Sequence, residues 1–227
     1  LGLGNIDLMC GLNGYWNLAH VIAGLRRLPD ILLEGPAGVH VVPGAGGLSE
    51  TLSETKVVGS EFRDQMYDLE NEHDVLVFDT GAGLHPLVHQ CVSAADTVLV
   101  VTTPEPTAIA DAYATIKSLQ LAAGSRLLTL VNRATTARQA RDIHERLART
   151  TRLFLETTLL ESGWIPEDPE VLRAINHRIP LLVETPDSPA SRAIEQLARR
   201  LFYQTVGDAS RTNFFGRLWP LSKSKAA

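Results

Sequence analysis

Three polar residues stand out because of what precedes them. Asp79 closes the run Val-Leu-Val-Phe and is followed by Thr80, Gly81, Ala82 and Gly83. Asn132 closes Arg-Leu-Leu-Thr-Leu-Val, and Asp168 comes after Trp164, Ile165, Pro166 and Glu167. An acid at a strand tip is where a nucleotide hydrolase holds Mg2+ or its waters. Gly81 and Gly83 let backbone N–H groups approach a terminal phosphate with no side chain in the way. Such a turn can change shape when that phosphate leaves. The Asn132 amide offers one donor and one acceptor, which is the pattern of an adenine edge. Two prolines stiffen Trp-Ile-Pro-Glu-Asp-Pro, whose carbonyls suit the exocyclic amine of a base. Each feature also has a plainer reading: a strand-to-helix turn at 79–83 and an Asx turn at Asn132.

The surrounding elements are those that position such groups. Apolar residues at 18, 21, 22 and 25 follow a helical period, with Asn17 as cap. Val39 to Gly44 reads as a short strand stopped by proline and glycine. Phe62, Met66 and Leu69 mark a helix starting near Ser60, and Val75–Phe78 reads as a buried strand. Pro86 opens a helix to about Ala94. A strand at Thr97–Val101, a helix from near Pro106 and a strand ending at Asn132 come next. A basic helix containing Ile143, Leu147 and Phe154, a short strand in Leu-Leu-Glu-Ser-Gly-Trp-Ile-Pro, and helices from Pro169 and Pro189 complete the alternation. Continuous apolar strands alternating with helices imply a parallel sheet covered on both faces. Ligands then bind outside the carboxyl ends of its strands.

Bulk properties exclude little but are uneven. The 227 residues are 44% hydrophobic and 21% charged, with a net charge of −5. Arg133 to Arg152 holds six arginines against Asp142 and Glu145, and a second basic stretch runs from Ser188 onward. The plain reading of both is a solvated basic face. Two cysteines, Cys10 and Cys91, make no disulfide framework and suit a reducing compartment. No apolar run reaches the ~18 residues of a membrane span. His85 and His89 lie four apart near Cys91, but no further ligand has partner spacing, so a solvated helix face is the expectation.

Taken in order, LGLGNIDLMCGL, VHVVPG, FDTGAG, VVTTPEPTAIADAYATIK, LVNRA and GWIPEDPEVLRAI…PLLVETPDSPASRAI resemble the MinD/ParA class of deviant-Walker ATPases. FDTGAG with TTPEPTAIADAY is most similar to the branch of flagellar-number regulators called FlhG, FleN or YlxH. The resemblance implies a doubly wound, mostly parallel α/β sheet of the P-loop NTPase type, incomplete at its N-terminus, over residues 1–206. It implies ATP and Mg2+ as ligands. Asp79 would be the catalytic acid beside Mg2+, and Gly81, Ala82 and Gly83 the phosphate switch. Asn5 and Asp7 would belong to the first switch segment at a dimer interface, with Glu105 and Thr107 also at that interface. Asn132, Arg133, Pro166 and Asp168 would meet the adenine. Implied partners are a second copy on ATP binding, a flagellar signal-recognition-type GTPase and flagellar switch-complex proteins. DNA is not expected.

One departure is large. The class carries a lysine-bearing glycine loop, and no lysine precedes Lys56 here. The expectation is a loop encoded upstream of Leu1, with the 227 residues alone unable to hydrolyse ATP and the flank of Val75–Phe78 left exposed. Residues 207–227 read as a linker and an amphipathic tail. Phe214, Phe215, Leu218 and Trp219 form its apolar face, suited to an anionic membrane and to a cytoplasmic, reversibly peripheral location. The plainer reading packs these aromatics on the body. Competing functions are a MinD-like or ParA-like ATPase, an iron–sulfur or metabolic enzyme of the same fold, and a non-catalytic interaction module.

Overall fold

The computed structural model describes residues 5–44, 59–80, 86–121, 124–206 and 214–219. Its centre is a parallel sheet of three strands, β3 (Thr97–Thr102), β4 (Arg126–Ala134) and β5 (Leu160–Pro166), in the order β3-β4-β5. Ahead of it, Leu33–Glu34 (β1) and His40–Val41 (β2) make one antiparallel rung. β4 lies between two neighbours, so five successive residues from Leu127 to Val131 are buried, as a continuous apolar run requires.

Side chains alternate across the sheet and define two cores. On one face Val100, Leu127 and Val131 pack against Ile109, Ala112 and Ile116 of α5 (Pro106–Ser118) and Ile143 and Leu147 of α6 (Ala137–Leu155). On the other, Leu130 and Ile165 meet Ala190, Ile194 and Leu197 of α9 (Pro189–Val206). Between them in sequence come α7 (Pro169–His177) and α8 (Leu181–Glu184). The helices start where sequence chemistry starts them. Pro106 and Pro169 occupy first-turn positions, and the Thr136 hydroxyl accepts the Gln139 N–H at 3.1 Å.

A third core lies apart from the sheet. It joins Leu18 and Val21 of α2 (Leu18–Ile22), Leu28 and Ile31, Phe62, Met66 and Leu69 of α3 (Ser60–Glu72), and Cys91 and Ala94 of α4 (Pro86–Ala94). Burial pushes the Cys91 thiol up to about 11. The thiolate is the reactive form, so thiol titration of the folded protein should give one fast equivalent, from partly exposed Cys10, and a second only on unfolding. Two fast equivalents would contradict this burial.

Several expectations are corrected. The helix at Leu18 ends at Ile22, and Leu25 is exposed beyond Gly24, whose φ of +71° ends the turn. The strand expected over Val39–Gly44 shrinks to two residues because its partner is equally short. Val75–Phe78 is not part of a strand: it is unpaired among the described residues, and Val77 is 88% exposed. Its apolar pattern suits a buried strand, but no ladder in the described structure receives it. In contrast, β4 extends two residues past Asn132.

The tail aromatics turn inward. Phe214 and Phe215 of α10 (Phe214–Leu218) are buried in the third core, Phe214 stacked on Phe78 with ring centroids 4.4 Å apart. Trp219 stacks on Phe215 at 5.6 Å. The Glu70 carboxylate accepts the Phe214 N–H at 2.7 Å, and Arg217 pairs with Asp96 at 2.7 Å. The expected exposed apolar face is therefore corrected for this conformation: Phe78, Phe62 and α4 supply apolar surface that the rings cover. The linker residues 207–213 and residues 220–227 lie outside the described residues.

One buried polar contact carries a pH dependence. Thr129 on β4 is 1% exposed, and its hydroxyl lies 2.6 Å from His144 Nδ1 on α6. Burial holds the His144 pKa below its ordinary value, while Glu161 and Glu145 pull the other way. The unfolded chain, at about 6.5, therefore binds a proton more readily than the folded one. This part of the stability is complete above that value and is lost as pH falls through it toward the lower folded value. Urea midpoints should fall between pH 7.5 and 5.5, and His144→Gln should flatten that slope. An unchanged slope in the variant would remove His144 as the cause.

Candidate nucleotide site

The carboxyl ends of β3, β4 and β5 lie side by side, and three turns leave them together. After β3 come Thr103, Pro104 and Glu105, with Glu105 at the N-cap of α5. Bonding with Thr103 is the first cause of a Glu105 carboxyl held below the usual carboxylate range, ahead of the charge of Arg133. Thr107 is exposed in the first turn of α5.

β4 reaches its end through a bulge. Val131 faces Trp164 and Ala134 faces Pro166, so β4 spends one residue more than β5 over that interval. The extra backbone is absorbed at Arg133, with φ at +57°. The Asn132 side-chain oxygen accepts the Arg133 N–H at 3.0 Å, which holds the kink. The Arg133 guanidinium then reaches both neighbouring turns, 3.2 Å from Glu167 and 3.9 Å from Glu105. All three side chains are more than half exposed, so these pairs order the turns more than they stabilise the fold.

After β5, Asp168 has both carboxylate oxygens committed. One accepts the Glu170 N–H at 3.0 Å and caps α7, and the other accepts the Ala190 N–H at 3.0 Å at the start of α9. The bond from Ala190 is the main cause of its lowered pKa. These two bonds give the Asp168 carboxylate a positioning role between α7 and α9. The Asn132 NH2 group and the backbone at Pro166 remain suited to a base edge. In these respects the residues present fit a nucleotide base.

The other expected residues are more scattered. Asp79 is exposed, one residue past Phe78, in a segment that joins no strand ladder of the described structure. Gly81, Ala82 and Gly83 lie outside the described residues, as does His85. Asn5 and Asp7 border or occupy α1 (Ile6–Met9). This segment meets the loop after α7, where a side-chain carbon on Gly11 would stand 3.0 Å from the Arg178 carbonyl oxygen. Sequence reasoning missed the roles of Thr103 and Glu167 as partners of Glu105 and Arg133. The only signal was their position directly after apolar strands. Among the described residues, no cluster of His, Cys, Asp or Glu is placed to hold a metal ion, and no helix is long and apolar enough to cross a membrane.

A family model described as "Cellulose biosynthesis protein BcsQ", of the MinD/ParA type, matches residues 33–202. The chain belongs to this MinD/ParA-type family. Among the relatives of the MinD/ParA chain is the antiactivator FleN of Pseudomonas aeruginosa, 37% identical over 202 residues, covering 88% of this chain and 72% of FleN. The flagellum site-determining protein YlxH of Helicobacter pylori is 31% identical, with 87% and 67% covered. The MinD/ParA fold is also seen in solved structures. The Pyrococcus furiosus cell division ATPase MinD superposes with a TM-score of 0.63 at 22% identity, covering 88% of this chain and 81% of that one. MinD of Pyrococcus horikoshii, complexed with Mg-ADP, gives 0.62 at 21% identity, with 88% and 79% covered.

Proposed function

We propose that this chain is the body of an ATP-dependent dimerising switch that helps set flagellar number or placement. The observation that carries this reading is the 37% identity to the antiactivator FleN across 88% of the chain. The convergence of the three turns at the carboxyl ends of the sheet supports it. In this reading Asn132 and the Pro166 backbone hold the base, Asp79 holds the Mg2+ that neutralises phosphate charge, and Asp168 fixes the turn between them. Asn5, Asp7, Glu105 and Thr107 face the second copy.

The tail belongs to the same proposal. Its aromatics are stored against the third core and would reach an anionic membrane only after leaving it. Two copies in a dimer would then bind far better than one, because the second insertion is intramolecular. Flagellar GTPase and switch-complex partners, and a peripheral location at the membrane, follow from the same reading.

The test is sedimentation of the product of the whole gene with Mg-ATP, Mg-ADP or neither, together with flagellar counts in a deletion strain. A shift to dimer with ATP alone, with altered counts, is expected. A monomer under all conditions, with unchanged counts, would overturn the proposal.

A further inference from the structure

Two histidines from different elements share one hydrogen bond. His40 opens β2, and His73 directly follows α3. His40 Nδ1 lies 2.7 Å from His73 Nε2, with the rings edge to face and their centroids 5.0 Å apart. The other nitrogen of His73 settles which way this bond runs. Its Nδ1 is 2.9 Å from the Leu69 carbonyl oxygen. That oxygen can only accept, so Nδ1 carries a proton, and Nε2 of the neutral ring is the acceptor for His40.

The bond joins a slight element to a well-anchored one. β1 and β2 pair over two residues each, too few to stand alone. α3 buries Phe62, Met66 and Leu69 in the third core. The rung in turn supports its surroundings. Gly35 N–H donates to the Val39 carbonyl at 2.7 Å, and the Pro43 carbonyl accepts the Leu18 N–H at 3.0 Å, at the start of α2.

Proton count decides whether the bond exists. One proton between the facing nitrogens makes it, whether the pair is neutral or carries a single charge. A second proton leaves two donors and two like charges in contact, so the rings titrate as a pair. The charged groups beside them are acids: Glu34 is the cross-strand partner of His40, Glu72 ends α3, and Asp74 follows His73. Farther along α3, Glu70 is taken up by the Phe214 N–H, and on α10 Arg217 is paired with Asp96. The acids can balance charge on the rings, but they do not restore the lost acceptor.

We propose that His40 and His73 form a proton-operated clasp, which holds the β1–β2 rung to the end of α3 and releases it when both rings are protonated. Release is one-sided. A charged His73 still donates from Nδ1 to Leu69, and a cation suits the carboxyl end of a helix. The rung and the start of α2 therefore loosen while α3 keeps its cap. The proposal does not depend on nucleotide binding.

The test is amide hydrogen exchange of the 227-residue chain, with EDTA present to keep metal ions off the rings. Protection factors of Gly35 and Leu18 are divided by those of β4, which removes any global change with pH. Between about pH 7.5 and 5, the span in which imidazole takes its proton, these ratios should fall at least about tenfold, as expected for a local opening. The ratio for Met66 of α3 should hold. Ring carbon shifts of His40 and His73 follow protonation, and the fall should track the second proton of the pair rather than the first. His40→Gln and His73→Gln cannot reach the doubly charged state, so their ratios should stay flat. Constant ratios in the wild type, or an equal fall in either variant, would overturn the proposal. So would loss of Met66 protection together with that of the rung.

Discussion

Asp168→Ala lowers the unfolding free energy by about 2 kcal/mol, since it removes two charge-assisted bonds to helix starts, each typically worth about 1 kcal/mol. The carboxylate takes the Glu170 N–H on one oxygen and the Ala190 N–H on the other. Alanine leaves both donors without that partner and loosens α7 from α9. Asp168→Asn keeps one good acceptor and should lose about half as much. The folded pKa is depressed, so the advantage of wild type over Asp168→Asn is complete above the unfolded value of about 4 and shrinks as pH falls through the folded one. Urea unfolding of the three proteins from pH 7 to pH 3 reads all of this. Equal stability of Asp168→Ala and wild type at pH 7 would show that the cap contributes nothing.

Phe215→Ala is the second large effect, at about 3 kcal/mol, the lower end of the range for a buried phenylalanine. Phe215 is 2% exposed and stacks on Trp219. With the ring gone, α10 loses its central anchor and Trp219 loses its stacking partner. In a Trp16→Phe, Trp164→Phe background, the remaining emission should shift to the red and become quenchable by iodide. If the tail is also a membrane anchor, as proposed, the same variant should sediment with phosphatidylglycerol vesicles more readily than wild type. A blue, protected emission in Phe215→Ala would mean that α10 is held by Glu70 and Arg217 alone.

The parts of the fold legible in the sequence are those set by local chemistry. Pro106 and Pro169 mark helix starts, and the runs ending at Val101 and Asn132 are strands because buried parallel strands are apolar throughout. The bulge at Asn132–Arg133 was not legible. It arises from a register mismatch between β4 and β5, and register is a property of two chain segments rather than one. The same applies to Val75–Phe78, whose pattern promises a strand but says nothing about whether a neighbour is there to pair with it. Asp168 was legible as the residue that closes the turn after β5, but its hold on α9 was not. The Ala190 N–H it holds lies twenty-two residues downstream and has no sequence signature. The tail's aromatic face was plain in the sequence. Its choice between lipid and protein was not, because both offer apolar surface and only the fold shows that Phe78 and Phe62 are waiting.

The seat of α10 has a consequence for biosynthesis. Glu70 and Phe214 are 144 residues apart, yet the helical core around Phe62, Met66 and Cys91 is closed by Phe214 and Phe215. On the ribosome, where chains emerge and fold from the N-terminus, that core must wait with its apolar side open while the entire sheet is translated. A nascent chain of this kind offers chaperones a long-lived greasy surface, and a premature stop before residue 214 would leave that surface permanently bare.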